Sequence, residues 1–161
     1  MFNGRSNAAA VALADKLLQL APVPMSKVFF ANSGSEANDT AVKLVWYYHN
    51  AIDKVAKKKI IARKNAYHGV TVAAASMSGP ISNQRDFDLP IERILHVDCR
   101  HHFRYAEADE SEEAFASRLA HSLKKRTLDE GPHTVGAFIA EPVMGAGGVI
   151  VPPATYFEKN L

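Results

Sequence analysis

Short apolar segments alternate with helical segments along most of the chain, and this alternation is the strongest constraint on its fold. A short apolar run between turn residues is typical of a buried strand, whereas apolar residues at helical spacing are typical of an amphipathic helix. Strands that are separated by helices need crossover connections, and such strands pair in parallel. We therefore expect an α/β fold of three layers, in which helices flank a mainly parallel sheet.

The expected elements follow this pattern from residue 8 to the end of the chain. The predicted strands are Lys27–Ala31, Ile60–Arg63, Ile94–Asp98 and Val135–Ala140. The predicted helices cover residues 8–20, Ser35–His49, Thr71–Ser78 and the segment between Ser111 and Gly131, and a last helix begins near Tyr156. The residues that fall at helical spacing on the second helix are Ala37, Ala41, Leu44 and Tyr48. The last strand is apolar throughout, which is typical of a buried central strand.

Composition and charge limit the class of protein. The 161 residues are 47% hydrophobic and 22% charged, which is enough for one domain with a sizeable core. The net charge of +2 is too small to favour nucleic acid or an anionic membrane, and the apolar stretches are too short to span a bilayer. A single cysteine, Cys99, excludes an internal disulfide, and Met1–Arg5 begin no signal peptide. We therefore expect a cytoplasmic protein with no nucleic-acid or membrane partner.

Ligands bind beyond the carboxyl ends of the strands in parallel sheets, so the turns after Ala31, Arg63 and Ala140 are the candidate sites. The first turn reads Asn32-Ser33-Gly34-Ser35 and leads into a helix. Free amides at a helix N-terminus, a glycine that permits close approach and two hydroxyl groups would together hold a phosphate. An ordinary helix cap, closed by Ser35, accounts for the same residues.

The second turn contains Tyr67-His68-Gly69. An aromatic side chain beside a glycine can lay its ring over a flat ligand, but a tyrosine packed on the domain surface has the same sequence. His68 either relays a proton or is a hydrogen-bonded loop histidine. Taken alone, this turn leaves both interpretations of each residue open.

The third turn begins with Glu141-Pro142 and contains Gly145, Gly147 and Gly148. A carboxylate directly after an apolar strand is costly to bury alone, so Glu141 needs a specific partner, either within the protein or in a ligand site. The glycines resemble a dinucleotide fingerprint, but Val149–Pro153 follows them instead of a helix. The structural context of a dinucleotide loop is therefore missing.

A possible metal site needs separate consideration. One short stretch contains several residues of the types that bind zinc, namely His96, Asp98, Cys99, His101 and His102. The stretch lacks paired Cys-x-x-Cys or His-x-x-x-His spacing, and a strand that ends in a polar loop explains it equally well. We therefore expect no metal site.

Three stretches in this order resemble the class III (omega-type) aminotransferases, which are pyridoxal-phosphate (PLP) enzymes of fold type I. They are Phe30–Asn38, Ala66–Gly69, and Ala140–Val143 with Gly145, Gly147 and Gly148. The resemblance runs from about residue 8 to the end of the chain. It implies the large, cofactor-binding domain of a PLP-dependent transferase.

The resemblance also implies roles for residues of the first two turns. Gly34 and Ser35 would hold the cofactor phosphate through the helix N-terminus, with Ser33 beside them. Tyr67 would stack on the pyridine ring, with His68 next to it. PLP is therefore the expected cofactor.

The third turn and the expected partners follow from the same resemblance. Glu141 would lie near cofactor and substrate and help to order the site. The family moves an amino group from an amine or omega-amino acid to a keto acid such as pyruvate, so these small molecules are the expected partners. Class III enzymes are dimers with the cofactor at the subunit interface, so the full-length parent is expected to be a homodimer.

The family pattern also has an aspartate paired with the pyridine nitrogen and a lysine that forms the Schiff base, both downstream of the Glu-Pro-Val turn. No lysine in the chain fits that context, because Lys27 precedes a strand, Lys43 lies inside a helix and residues 57–59 end one. No catalytic residue is therefore assigned. We expect residues 1–161 to be part of the large domain, without the N-terminal arm, the catalytic-lysine region and the small C-terminal domain, and to be inactive alone.

Two alternatives remain open from the sequence. The first is an α/β domain that binds a nucleotide or sugar phosphate through the same Ser-Gly-Ser turn, without PLP. The second is a degenerate, non-catalytic aminotransferase-like protein that keeps only the fold. PLP binding distinguishes the enzyme from the first alternative, and the gene sequence past Leu161 distinguishes it from the second.

Overall fold

The computed structural model describes residues 6–80, 82 and 84–160. The prediction that Met1–Arg5 begin no signal peptide lies outside the described residues. The chain divides into two compact units, Met1–Asn32 and Ser33–Leu161. In the part of the chain that the structure describes, no helix is both long and apolar enough to cross a membrane.

The elements of the two units are as follows, within the described residues. The first unit contains the helix α1 (Ala8–Leu20). The strands of the second unit are β1 (Lys59–Arg63), β2 (Ile94–Val97) and β3 (Val135–Phe138). Its helices are α2 (Gly34–Ala51), α3 (Val72–Met77), α4 (His102–Tyr105), α5 (Glu112–Asp129) and α6 (Tyr156–Asn160). The short helix α4 is an addition that the sequence pattern does not indicate.

The first unit differs from its prediction after α1. Asn7 caps the N-terminus of α1, and its side-chain oxygen accepts a hydrogen bond from the Ala9 amide at 2.9 Å. The predicted strand Lys27–Ala31 is wrong, since the segment belongs to no sheet and Phe29 and Phe30 are 66% and 44% exposed. A strand needs a neighbour for its backbone hydrogen bonds, and among the described residues no strand pairs with this segment.

The strands of the second unit form one parallel sheet in the order β2-β1-β3. Ile60 of β1 pairs with Ile94 of β2 on one side and with Ala137 of β3 on the other. Helix α3 lies between β1 and β2 in the chain, and α5 lies between β2 and β3, so both connections are helical crossovers. The parallel α/β architecture predicted from the sequence is confirmed.

Successive residues of β1 face opposite sides of the sheet, and helices cover both sides. The core cluster on one side contains Val42 of α2, Ile60 and Ala62 of β1, Met77 of α3 and Ile94 of β2. On the other side, Arg63 of β1 contacts Tyr156 of α6. Tyr156 in turn packs with Phe115 and Leu119 of α5. These contacts give the three layers that the alternation of elements predicts.

Arg63 is a buried cation between aromatic rings. Its guanidinium carbon lies 4.9 Å from the ring centre of Tyr156 and 5.1 Å from that of Phe138. It donates to the Asp98 carbonyl at 3.0 Å and to the Asn160 side-chain oxygen at 2.8 Å. Burial lowers the pKa of Arg63, and the ring and hydrogen-bond contacts offset part of this desolvation. The charged side chain thereby fixes α6 against the sheet.

The expected central position of the last strand is wrong within the described residues, where β3 lies half-buried at an edge and β1 occupies the centre of the sheet. The helix expected at Ser35–His49 is confirmed as α2. Leu44 and Tyr48, which fall at helical spacing, are 56% and 59% exposed, and the helix buries Val42 and His49. Helical spacing predicts that a helix has an apolar face, but it does not determine which face meets the sheet.

Ile61 lies on the central strand and is fully buried. We expect Ile61→Ala to lower the free energy of unfolding by about 2–5 kcal/mol, because it removes buried methyl groups and leaves a cavity. Ile52→Ala is the matched control, since Ile52 is 40% exposed, and it should cost about 1 kcal/mol or less. Urea unfolding measures both variants, and equal losses would contradict the central position of β1.

Candidate functional site

The candidate site lies at the carboxyl ends of β1 and β3, where the turn after β1 contacts both the N-terminus of α2 and the turn after β3. Turn A is residues 64–71, which follow β1, and turn B is residues 139–149, which follow β3. The chain leaves β1 toward β2 on one side, whereas β3 lies on the other side of β1. Ligands in parallel sheets bind beyond the carboxyl ends of the strands, which is where turn A and turn B lie.

Residues 33–35, named the serine bend here, form the start of α2. The helix begins at Gly34, and the Ser33 hydroxyl accepts a hydrogen bond from the Glu36 amide at 3.2 Å. The cap is therefore Ser33, not Ser35 as the simpler interpretation of this turn assumed. A Cβ added at Gly34 would meet no atom within 4 Å. Within the described residues, the amides of Gly34 and Ser35 have no hydrogen-bond acceptor, so the bend presents donors at an open surface.

Turn A packs directly on the serine bend. The Ser35 hydroxyl accepts a hydrogen bond from the Val70 amide at 3.0 Å. Gly69, with a φ of +127°, comes so close that an added Cβ would lie 2.9 Å from both the Ser35 Cα and the Ala74 Cβ. The hydroxyl proton of Ser35 takes no part in the bond to Val70, so it is available to a ligand.

Two residues that the motifs do not assign also bind turn A from α2. Asn38 donates from Nδ2 to the His68 carbonyl at 2.6 Å. Asp39 accepts through Oδ1 from the Thr71 hydroxyl at 2.8 Å and from an amide of α3. Asn38 and Asp39 follow Ser35 by three and four residues and therefore share its helix face. This spacing is the signal in the sequence that could have identified them.

Glu141 connects turn A to turn B. Its Oε1 accepts a hydrogen bond from the Tyr67 amide at 3.0 Å, and its Oε2 accepts one from the Gly145 amide at 3.1 Å. The partners that a carboxylate at this position requires are therefore backbone amides of the protein. Because Glu141 binds the backbone amide of Tyr67, it fixes the tyrosine main chain and leaves the tyrosine side chain free of this contact.

Tyr67 and His68 differ strongly in exposure, at 40% and 6%. The His68 amide donates to the Ser78 hydroxyl at 2.9 Å, and its ring Nε2 has no partner among the described residues. Burial lowers the pKa of His68; Glu141 raises it and His96 lowers it to smaller extents. His68 is therefore a neutral, buried histidine in turn A, whereas Tyr67 offers an accessible ring.

Side chains near the end of β2 have partners within the protein. The His96 Nε2 lies 3.3 Å from the Met77 carbonyl oxygen, and Asp98 pairs with Lys64 at 2.9 Å. Among residues 6–80, 82 and 84–160, no group of three or more His, Cys, Asp or Glu side chains is arranged to hold a metal ion.

The lysines at the two ends of β1, Lys59 and Lys64, are paired with Glu130 and Asp98.

Comparison with known proteins identifies the family. The sequence model of aminotransferase class-III proteins matches residues 1–160. The chain belongs to the class III aminotransferase family. The resemblance carried by the three turns is thereby confirmed.

Plant gamma-aminobutyrate transaminases are similar over almost the whole chain. Gamma aminobutyrate transaminase 3, chloroplastic, of Solanum lycopersicum is 56% identical over 159 residues, which are 98% of this chain and 31% of that protein. The probable gamma-aminobutyrate transaminase 3, mitochondrial, of Oryza sativa subsp. indica is 54% identical with the same coverage. The chain spans about a third of the length of the curated relatives it matches.

Solved structures of an omega transaminase and an omega-transferase share this fold over the matched residues. The omega transaminase from Pseudomonas jessenii in complex with PMP matches with a TM-score of 0.97 and 62% identity, over 99% of this chain and 35% of that one. The omega-transferase from Vibrio fluvialis JS17 matches with a TM-score of 0.94 and 48% identity, over 99% of this chain and 37% of that one. The fold of the class III aminotransferases is thus confirmed for this chain.

Gly69 is the position at which turn A tolerates no side chain. We expect Gly69→Ala to lower the free energy of unfolding by about 1–3 kcal/mol, because its Cβ would collide with Ser35 and Ala74 at a positive φ. Gly34→Ala is the control, since open space surrounds that position, and it should change stability by about 1 kcal/mol or less. Urea unfolding compares the two, and equal stabilities would contradict the close contact between turn A and α2.

His68 makes stability depend on pH. Burial holds its folded pKa below the ordinary 6.5, so the unfolded chain takes up a proton first as the pH falls. The stabilising contribution is complete above the unfolded pKa and is lost as the pH falls toward the folded pKa. We expect His68→Asn to reduce the slope of unfolding free energy against pH below 6.5, by at most about 1.4 kcal/mol per pH unit.

The measurement is urea unfolding at a series of pH values on both sides of 6.5. His121→Asn, on the exposed surface of α5, is the control for the loss of a histidine. If the wild type and His68→Asn have the same slope, the burial of His68 does not govern the pH dependence.

Proposed function

We propose that this chain supplies the phosphate and ring contacts for PLP in a transaminase, which transfers an amino group from an amine or omega-amino acid to a keto acid such as pyruvate. The observation that carries the proposal is the hydrogen bond from the Val70 amide to the Ser35 hydroxyl. It holds turn A, with the accessible Tyr67, against the serine bend. Membership of a PLP-dependent family supports the choice of cofactor.

The serine bend fits a phosphate group. Within the described part of the chain, Gly34 and Ser35 offer two amides without an acceptor, and Ser35 adds a hydroxyl proton. The dipole of α2, a helix of 18 residues, adds partial positive charge at the same point. Open space at Gly34 allows a ligand to reach the backbone. In the proposed complex, Gly34 and Ser35 hold the phosphate, and Ser33 caps α2 beside it.

Tyr67 is the proposed contact for the pyridine ring. Its side chain is 40% exposed, and the bond from its amide to Glu141 fixes its backbone. Stacking of aromatic rings contributes about 0.5–1.5 kcal/mol beyond the burial of surface. When bound, PLP serves as an electron sink for the carbon that carries the amino group. The part of this chain is to fix the orientation, with the phosphate at the serine bend and the ring at Tyr67.

His68 and Glu141 are proposed to order the site around these two contacts. His68 adjoins Tyr67 and is neutral, so it brings no charge next to the ring. Glu141 holds turns A and B together through two backbone amides near the place proposed for cofactor and substrate. The class of amino donor is supported by the similar proteins, which are named gamma-aminobutyrate and omega transaminases.

The chain is proposed to form part of the large cofactor-binding domain of its parent enzyme. The N-terminal arm, the Schiff-base lysine and the small C-terminal domain would come from other segments of the parent. The pairing of Lys59 with Glu130 and of Lys64 with Asp98 supports this assignment, because it occupies both lysines of the β1 ends. The 161 residues alone are therefore proposed to bind PLP weakly and to lack turnover.

Homodimer formation and a cytoplasmic location complete the proposal. An exposed apolar row on α2, consisting of Leu44, Tyr47, Tyr48 and Ile52, supports a protein partner for that helix. The single cysteine, Cys99, is buried and free, as is usual in a reducing compartment. The names of the plant relatives include chloroplastic and mitochondrial forms, so location is to be measured on the complete protein.

The test is a titration of PLP into the complete polypeptide that contains this chain, followed by the absorbance of bound cofactor. We expect saturable binding that Tyr67→Ala weakens about threefold to tenfold and that Tyr67→Phe weakens much less, because phenylalanine keeps the ring. Phe103→Ala is the matched control, since Phe103 is 91% exposed on α4. It should leave PLP affinity unchanged.

Three results would each contradict a different part of the proposal. Binding of a nucleotide or sugar phosphate without binding of PLP would favour the phosphate-binding domain. Binding of PLP by the complete polypeptide without turnover of any amine with a keto acid would favour the degenerate, non-catalytic protein. Turnover by the 161-residue chain alone would overturn the assignment of the lysine to another segment.

A further inference from the structure

Asp39 lies on α2 one helical turn after Ser35 and binds the start of α3. Its Oδ1 accepts from the Thr71 hydroxyl at 2.8 Å and from the Ala74 amide at 3.1 Å. Thr71 is the N-cap residue of α3, but its own side chain makes no capping hydrogen bond. Asp39 therefore provides, from another helix, the acceptor that an N-cap side chain usually provides.

The hydrogen bond between Thr71 and Asp39 fixes the last residue of turn A to α2. Three residues on one face of α2 contact turn A in succession along its sequence. The pairs are Asn38 with His68, Ser35 with Val70, and Asp39 with Thr71. Turn A can therefore move relative to the serine bend only when this row of contacts breaks.

Asp39 differs from the other two residues of the row. Ser35 is itself proposed to contact the phosphate, and Asn38 binds one carbonyl through a neutral amide. Asp39 is charged and accepts from two donors, one on turn A and one on α3. Hydrogen bonds to a charged group are stronger than those between neutral groups, so Asp39 contributes most among the residues of the row that do not touch the cofactor.

We propose that Asp39 is a positioning residue, which sets the spacing between a phosphate at the serine bend and the ring of Tyr67. The inference rests on the proposed function and extends it to a side chain that does not contact the cofactor. Loss of the carboxylate releases Thr71 and the Ala74 amide but leaves the donors of Gly34 and Ser35 unchanged. A ligand that needs both the bend and the ring then loses affinity, whereas a ligand that needs only the bend does not.

The first experiment compares two ligands in the complete polypeptide, PLP and inorganic phosphate, by titration calorimetry. We expect Asp39→Ala to raise the dissociation constant of PLP about tenfold. The dissociation constant of inorganic phosphate should stay within about twofold, because the bend keeps its donors. Asp39→Asn keeps an acceptor oxygen at the same place but loses the charge, so its PLP affinity should lie between those of Asp39→Ala and the wild type. The control, Asp129→Ala on the exposed end of α5, should change neither ligand.

A second pair of variants tests the same bond from the other side. Thr71→Val removes the hydroxyl donor and should weaken PLP binding severalfold, whereas Thr71→Ser keeps the hydroxyl and should bind as the wild type does. In the Asp39→Ala background, Thr71→Val should add little, because the bond is already lost. The circular dichroism signal of bound PLP reports ring orientation. It should differ from the wild-type signal in Asp39→Ala and Thr71→Val, and it should be closer to the wild-type signal in Asp39→Asn and Thr71→Ser.

The outcomes separate this inference from the proposed function. If the wild type binds PLP and Asp39→Ala binds it equally well, the role of Asp39 is overturned while the proposed function stands. If Asp39→Ala weakens PLP and inorganic phosphate equally, Asp39 acts on the bend as a whole, and the inference is also overturned. If the wild type does not bind PLP, both fail. If Asp39→Ala does not fold, the Thr71 variants decide. Weaker PLP binding in Thr71→Val, with wild-type PLP binding in Thr71→Ser, supports the inference, and unchanged PLP binding in Thr71→Val overturns it.

Discussion

The contact between turn A and the serine bend is the constraint on which the rest of the site depends. It joins Ser35 to Val70 through a hydroxyl and an amide 3.0 Å apart, and the missing side chain of Gly69 makes this approach possible. One hydrogen bond contributes only about 1 kcal/mol to stability, so the importance of this contact is geometric. It fixes two segments that are 35 residues apart in sequence at a set spacing, above a sheet in which β1 and β3 end at the same edge.

Acceptors and donors are distributed unequally around this contact. The carboxylate of Glu141 is occupied by the amides of Tyr67 and Gly145, and that of Asp39 by donors of turn A and α3. In the described part of the chain, the amides of Gly34 and Ser35 at the start of α2 are left without acceptors. These two acidic side chains thus bind the protein itself, while the amides of Gly34 and Ser35 stay open to an anion at the positive end of α2. This distribution favours a phosphate group over a cation at the bend.

The sequence predicts the strands that pair in parallel and the three turns at their ends, because apolar runs and turn residues are local signals. It fails where the outcome depends on distant partners. Lys27–Ala31 has the composition of a strand but no neighbour among the described residues, and β3, within the apolar segment Val135–Ala140, lies at an edge of the described sheet. The spacing of Asn38 and Asp39 from Ser35 places them on its helix face, but their partners on turn A lie 30 and 32 residues away, so the sequence does not indicate these contacts.

The most direct test of the account is a crystal structure of the complete polypeptide with PLP bound. The account predicts that the phosphate oxygens lie about 2.7–3.2 Å from the amides of Gly34 and Ser35. It also predicts that the Tyr67 ring centre lies about 4.5–7 Å from that of the pyridine, with Asp39 still bonded to Thr71. A phosphate bound elsewhere on the sheet, or a cofactor ring that does not contact Tyr67, would contradict it.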